Sequence, residues 1–194
     1  MNSHETAPTP DDPEREQPKL HPKIYVASLA DYVNGRLHGR WIDATADIET
    51  VNNEITSMLA NSREPGAEEF AIHDYEEFGG IRVDEYAQID TVVAVAQLIA
   101  KHGAAYASYV DNVGVGDASE SDFTATYAGN FSSIDDYVDA SIEDFGWNTE
   151  LARLQTDSSI GQFLVIDRSV LDDFVRQEWN IITRPDGTID IFSP

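Results

Sequence analysis

Apolar residues recur along this chain in two rhythms, and the points where one gives way to the other mark out regions. The run KIYVASL, residues 23–29, has the β-branched and aromatic content of a strand. Asn34-Gly35 predicts a turn into a second strand over 40–43. Helical spacing at Ile48, Val51, Ile55 and Leu59 then predicts a helix over 47–61, followed by a loop at Pro65-Gly66 and a third strand over 70–74. Together these elements predict an N-terminal α+β domain over 23–89.

Beyond that point the pattern is helical. Asp90 is expected to cap TVVAVAQLIAKH, which stops at Gly103, and a second helix carries Tyr106, Tyr109, Val110 and Val113. After the loop GVGDASES, a short helix over 122–127 leads on through Gly129. Residues 90–122 are therefore expected to form a central helical domain, and 123–194 a C-terminal α/β domain. In the latter, Ile134, Tyr137, Val138, Ile142 and Phe145 share one helical stripe. Ser133 with Asp136 makes a capping-box pattern, and Gly146 suits the left-handed stop. Residues 162–166 read as strand or loop, and Asp167 caps a helix with Val170, Leu171, Phe174 and Val175 inward. NIITRPDGTIDIF alternates on both sides of Pro185-Asp186-Gly187, a hairpin signal. The fold class is α+β, without internal repeats.

Residues 1–22 are polar and proline-rich with no apolar h-region, so they read as a flexible leader and not a signal peptide. No later apolar run is long enough to span a bilayer. The absence of cysteine excludes disulfides and thiolate metal sites and suits a reducing compartment. A soluble, cytoplasmic protein is expected.

Charge changes this ordinary picture. The chain carries 12 basic and 36 acidic residues, a formal charge of −24, while its hydrophobic fraction of 41% remains that of a globular protein. Such a charge repels nucleic acid and anionic membrane and attracts a basic partner. It is also unevenly set: no Lys or Arg lies between Lys101 and Arg153, an interval holding Asp111, Asp117, Glu120, Asp122, Asp135, Asp136, Asp139, Glu143, Asp144 and Glu150. Asp135, Asp139 and Glu143 follow at i, i+4 and i+8, where each like-charge pair costs roughly 0.2–0.5 kcal/mol. A solvated face normally mixes signs.

Two readings fit. One is salt adaptation, with an ordinary acidic binding protein that has no nucleic-acid enzyme as target. The other is imitation of DNA phosphates: carboxylates four residues apart on a helix are about 6 Å apart, close to two steps of roughly 3.4 Å along one strand. At one charge per about 1.7 Å of duplex, the excess charge matches on the order of 40 Å of DNA.

Competing chemistry is weaker. His4-Glu5 begins a zinc-protease pattern, but Pro8 stands at the second histidine position. The loop DNVGVGDASESD has a glycine and an acid at calcium-loop positions, yet Val113 and Val115 replace oxygen ligands. Gly114-x-Gly116 lacks the third glycine of a dinucleotide fingerprint. His73-Asp74 suggests a base with its carboxylate, but adjacent strand residues face opposite ways, which makes His73 structural. His38 and His102 have no neighbour at ligand spacing, His21 belongs to the leader, and acid pairs such as Glu68-Glu69 are expected by chance. No catalytic residue, metal or cofactor is assigned, and the chain reads as a non-enzyme.

KIYVASLADYVNGRLHGRWIDA, residues 23–44, and EEFAIHDYEEFGGIRVDEY, residues 68–86, closely resemble the two signature segments of the ArdA family of antirestriction proteins. The likeness continues more loosely through YAGNFSSIDDYVDASIEDFG and FLVIDRSVLDDFVRQEW, while residues 147–161 do not follow the pattern. The resemblance implies an elongated, acidic, non-enzymatic chain of three small domains, usually a homodimer, encoded on mobile elements. It implies mimicry of bent B-form DNA in the groove of a type I restriction-modification enzyme. The helix starting at Ser133 would carry the antirestriction motif, near the dimer interface. On this reading Asp111, Asp117, Glu120, Asp122, Asp135, Asp136, Asp139, Glu143 and Asp144 act jointly as the mimic surface.

Overall fold

A computed structural model of the protein describes residues 19–157 and 159–194. Among them are eight α-helices and two three-stranded antiparallel sheets, an α+β fold. The described residues cluster into two compact units, 19–123 and 124–194.

In the first unit β1 (Lys23–Ser28) lies between β2 (Gly39–Asp43) and β3 (Phe70–Glu76). The register pairs Ile24 with Ile42 and Tyr25 with Trp41, and the β1–β3 ladder slips at a bulge between Tyr25 and Val26. As the central strand, β1 buries Ile24, Val26 and Ala27 completely. Its last residue, Ser28, also caps a short helix absent from the sequence expectation, α1 (Leu29–Val33), by accepting the Asp31 amide at 3.3 Å.

α2 (Ile48–Ala60) is capped by Asp47, whose carboxylate accepts the Thr50 amide and hydroxyl. Its buried stripe is Val51, Ile55 and Met58, whereas Ile48 is 39% exposed and Leu59 half-buried. The expected stripe through Ile48 and Leu59 is thus rotated. At about 100° per residue those two fall on one flank of the line joining 51, 55 and 58.

The expected leader needs a similar correction. Residues 1–18, with His4-Glu5, lie outside the described residues, but Pro22 is buried and its carbonyl accepts the Ala44 amide at 3.0 Å. The His21 amide donates to Glu77 Oε2 at 2.7 Å. The chain is therefore already bonded to the sheet before β1 begins.

α3 (Ile89–His102) and α4 (Ala104–Val113) form a hairpin at Gly103, burying Val92, Val93, Ala96 and Ile99 on one side and Tyr106, Tyr109 and Val110 on the other. Asp90 does not cap α3. Gln88 holds the cap position without a side-chain bond, and Asp90 accepts the Thr91 amide from within the first turn. Burial of Ile89 draws the helix start back past the better capping residue. α5 (Glu120–Thr126) sets Phe123 against the rings of His102, Tyr106 and Tyr109, with centroids 5.0, 5.2 and 5.7 Å away.

The second unit has β6 (Ile189–Phe192) at its centre, flanked by β5 (Asn180–Thr183) and by β4 (Tyr127–Phe131), where only a passage through Gly129 was expected. The β5–β6 hairpin closes as read, with Thr183 opposite Ile189. α6 (Ile134–Asp144) and α8 (Arg168–Glu178) pack together, and their core is Ile134, Val138, Ile142 and Val175 against Ile189 and Ile191. Ser133 Oγ accepts the Asp136 amide at 3.1 Å, and Gly146 takes φ +66°, so both predicted ends of α6 are present. α7 (Trp147–Asp157) buries no side chain and packs on a 3-10 turn at Gly161–Phe163, which overlaps the start of the segment 162–166 read as strand or loop. A Cβ on Gly161 would lie 2.1 Å from the Leu154 carbonyl oxygen, so this approach admits only glycine.

Three residues expected inward are outward: Phe145, Val170 and Phe174, at 68, 60 and 55% exposure. α8 buries only Val175, with Leu171 partly buried on the same line, and residues one position away are turned by about 100°. Phe145 lies past the last turn of α6 and stacks on Trp147, centroids 5.3 Å apart.

Candidate functional site

The nine acids singled out from the sequence fall into two groups, one in each unit. Asp111 sits in the last turn of α4, Asp117 in the loop that follows, and Glu120 and Asp122 in the first turn of α5. The other five are all on α6. That helix carries Asp135, Asp139 and Glu143 outward because each is turned by about 100° from the buried Ile134, Val138 or Ile142 that precedes it.

These carboxylates are not equivalent. Glu120 Oε1 accepts from Lys101 Nζ at 2.6 Å and His102 Nε2 at 2.8 Å, and these bonds hold its carboxyl below the usual range. It ties the end of α3 to the start of α5. Asp139 is ion-paired with Arg168 of α8. Asp135 lies within the field of Arg176, whose guanidinium is held mainly by Asp172 at 2.8 Å. The stretch without bases is thus a property of the sequence, and the fold returns positive charge to part of it.

Of the nine, six exposed carboxylates have no ion-pair partner among the described residues: Asp111, Asp117, Asp136, Glu143, Asp144 and Asp135, the last lying only in the field of Arg176. Their positions along the helices separate them further. Acids in a first turn, such as Asp136, are favoured by the helix dipole. Asp111, Glu143 and Asp144 stand in last turns that hold no base, where a carboxylate costs rather than contributes about 0.3–1 kcal/mol at low ionic strength. Local stability gives no reason for those three.

The remaining candidates resolve to structural roles. His73 packs edge-to-face on Tyr32 at 4.7 Å and lies 4.0 Å from Glu85, while Asp74 accepts the Tyr75 amide, so no base–carboxylate dyad forms. His38 Nε2 meets the Met58 carbonyl at 2.8 Å; a carbonyl only accepts, which places the ring proton on Nε2. Among the described residues no group of three or more metal-ligating side chains is placed to hold an ion, and no helix is long and apolar enough to cross a membrane.

One feature of the second unit escaped the sequence reading. Ile160, Phe163 and Val165 are 74–76% exposed, in addition to Phe145, Val170 and Phe174. The run IGQFLVI, apolar without a helical or alternating period, was its only signal.

A family model described as antirestriction protein (ArdA) matches residues 24–169, a span that contains both groups of acids. No curated protein matches the chain.

Proposed function

The chain belongs to the ArdA family of antirestriction proteins, and we propose that it acts as a DNA mimic, its carboxylates taking the place of phosphates in the basic DNA-binding cleft of a type I restriction-modification enzyme. The family is one of inhibitors, and no catalytic step is needed for this action. The observation that carries the reading is the set of exposed acids without partners, three of them where they oppose the helix dipole. Asp111, Asp117, Glu120, Asp122, Asp135, Asp136, Asp139, Glu143 and Asp144 contribute jointly, as phosphates do, each through a weak contact that adds to the salt dependence. A cytoplasmic target suits a chain without cysteine.

Cleavage and methylation assays with purified protein test this. Inhibition is expected to weaken steeply with added salt and to be relieved by excess duplex DNA. Equal inhibition at low and high salt would reject the mimic. Salt adaptation is the second reading, supported by exposed acids spread over the first unit, among them Glu49, Glu68, Glu76 and Asp84. It requires loss of the helical circular dichroism at low salt, where the mimic stays folded.

The exposed Phe145, Ile160, Phe163, Val165, Val170 and Phe174 further support a homodimer that covers them, since monomers rarely expose apolar patches beyond a few hundred Å². Sedimentation of the purified chain is expected to give the dimer mass, and F163S/F174S the monomer mass. A parent protein that sediments as a monomer removes this assembly.

A further inference from the structure

Two aromatic side chains of the first unit stand apart from the rest. Every other described Phe, Tyr and Trp of this unit packs on a second ring, His73 and His102 included, but Phe70 and Tyr86 have no ring partner among the described residues. Both line one cleft of about 390 Å³, set between the start of α2, the start of β3 and the segment that leads into α3. Glu85 and Asp90 supply its carboxylates, and Asn52 and Gln88 its side-chain amides.

Hydrogen bonds fix the segment that carries most of these groups. Ile72 of β3 donates its amide to the Glu85 carbonyl at 2.9 Å, and Val92 of α3 donates to the Gln88 carbonyl at 3.0 Å. Between them the Asp84 carboxylate accepts the Tyr86 amide at 2.9 Å. A cleft already held in shape loses little freedom when it is filled. Its polar groups are not matched by bases: no Lys or Arg pairs with Glu85 or Asp90 among the described residues, and Glu85 meets only His73 Nε2, at 4.0 Å. The charge of Glu85 pushes the Tyr86 phenol above its ordinary range, so the ring is neutral and stands in a negative field.

This combination calls for a cation with a flat face. Carboxylates and amide oxygens accept from N–H donors, and aromatic faces attract a cation within about 6 Å of the ring centre. A guanidinium meets both demands at once, its plane on a ring and its edge toward a carboxylate, whereas an ammonium has no plane to stack. The charge of −24 draws cations to the chain in any case. Exposure decides the source. Tyr86 is 65% and Ile48 39% exposed on the rim, so the cleft cannot enclose a free small molecule by the roughly 70–90% that small-ligand sites reach. A side chain presented by a larger surface brings its own cover.

We propose that the cleft lined by Phe70 and Tyr86 receives an arginine side chain of the restriction-modification protein, the rings taking the guanidinium plane and Glu85 and Asp90 its N–H groups. The proposal rests on the mimic reading above, since arginine is among the residues by which a DNA-binding cleft grips phosphates. It adds a contact that imitation of phosphate charge does not require.

Y86A tests the socket without altering the charge of the chain. Capped Gly-Arg-Gly and Gly-Lys-Gly, equal in charge, are titrated into the full-length protein at fixed ionic strength while amide chemical shifts are followed. The arginine peptide is expected to shift the amides of residues 85–90 at concentrations where the lysine peptide does not, and Y86A to abolish the difference. In the inhibition assay Y86A should need about tenfold more protein for half inhibition. Its salt slope and melting temperature should equal the parent's, because every carboxylate remains and the ring is exposed. Y86F, which keeps the ring face, should match the parent. Equal shifts from the two peptides, no shift from either, or parent-like potency of Y86A overturns the socket. So does a loss of potency in Y86A that comes with a lower melting temperature, which would make Tyr86 structural. A parent whose inhibition ignores salt rejects the mimic reading; a salt-sensitive parent with an unaffected Y86A rejects the socket alone.

Discussion

Replacing Asp190 by alanine is expected to destabilise the second unit by about 3–5 kcal/mol, the cost of stranding a buried charge. Asp190 is fully buried in the central strand β6 and accepts both Nε and Nη2 of Arg184 at 2.6 Å. Asn130 Nδ2 and the Tyr127 hydroxyl reach the same carboxylate at 3.0 and 3.3 Å. Burial, then the charge of Asp190, push the Tyr127 phenol far above its ordinary range, so it remains a neutral donor. Alanine removes the anion to which both Nε and Nη2 of Arg184, itself 8% exposed, donate. Domains are stable by only about 5–15 kcal/mol, so the urea midpoint of this unit should fall by a large fraction of its value. R184M/D190L, which removes both charges, should recover most of the loss. If the double variant falls as far as the single one, the polar network and not the stranded charge sets the cost.

This pair also marks how far the sequence could be read. The hairpin was legible because Pro185-Asp186-Gly187 and its flanks fix it within a few residues. The caps at Ser133 and Asp167 were legible for the same reason, the latter accepting the amides of Ser169 and Val170. β4 was not, because YAGNF becomes a strand only by pairing Asn130 with Asp190 and Phe131 with Ile189, far along the chain. That same pairing buries Asp190, an acid that alternation alone assigns to the face opposite Ile189 and Ile191. Helix faces were read correctly at their centres and wrongly at their edges. Which flank of α2 or α8 is covered depends on the neighbouring sheet, not on the helix.

The candidate surface divides along the same line. Its composition, acids without intervening bases, was visible in the sequence. Which acids are neutralised was not, because the bases that reach them come from elsewhere: Lys101 to Glu120, Arg168 to Asp139.

Neutralising Asp111, Asp117, Asp136, Glu143 and Asp144 together, to Asn or Gln, should therefore separate binding from folding. These five are chosen because no ion pair among the described residues depends on them, whereas removing Asp139 would strand Arg168. If each acts as one phosphate, the slope of log affinity against log salt falls by about 0.9 per charge, or between 4 and 5 in all. At about 0.15 M salt this amounts to a potency loss of up to roughly 10³–10⁴, and no more than about fivefold for any single replacement. Stability should move the other way. Asp136 gives up a favourable first-turn position, but Asp111, Glu143 and Asp144 each leave an unfavourable last-turn one, worth about 0.3–1 kcal/mol apiece at low ionic strength. A rise in the denaturation midpoint together with the loss of inhibition is the result expected of acids placed for a partner. Full potency in the quintuple variant would reject the mimic surface, and a joint fall of potency and stability would return these carboxylates to a structural role.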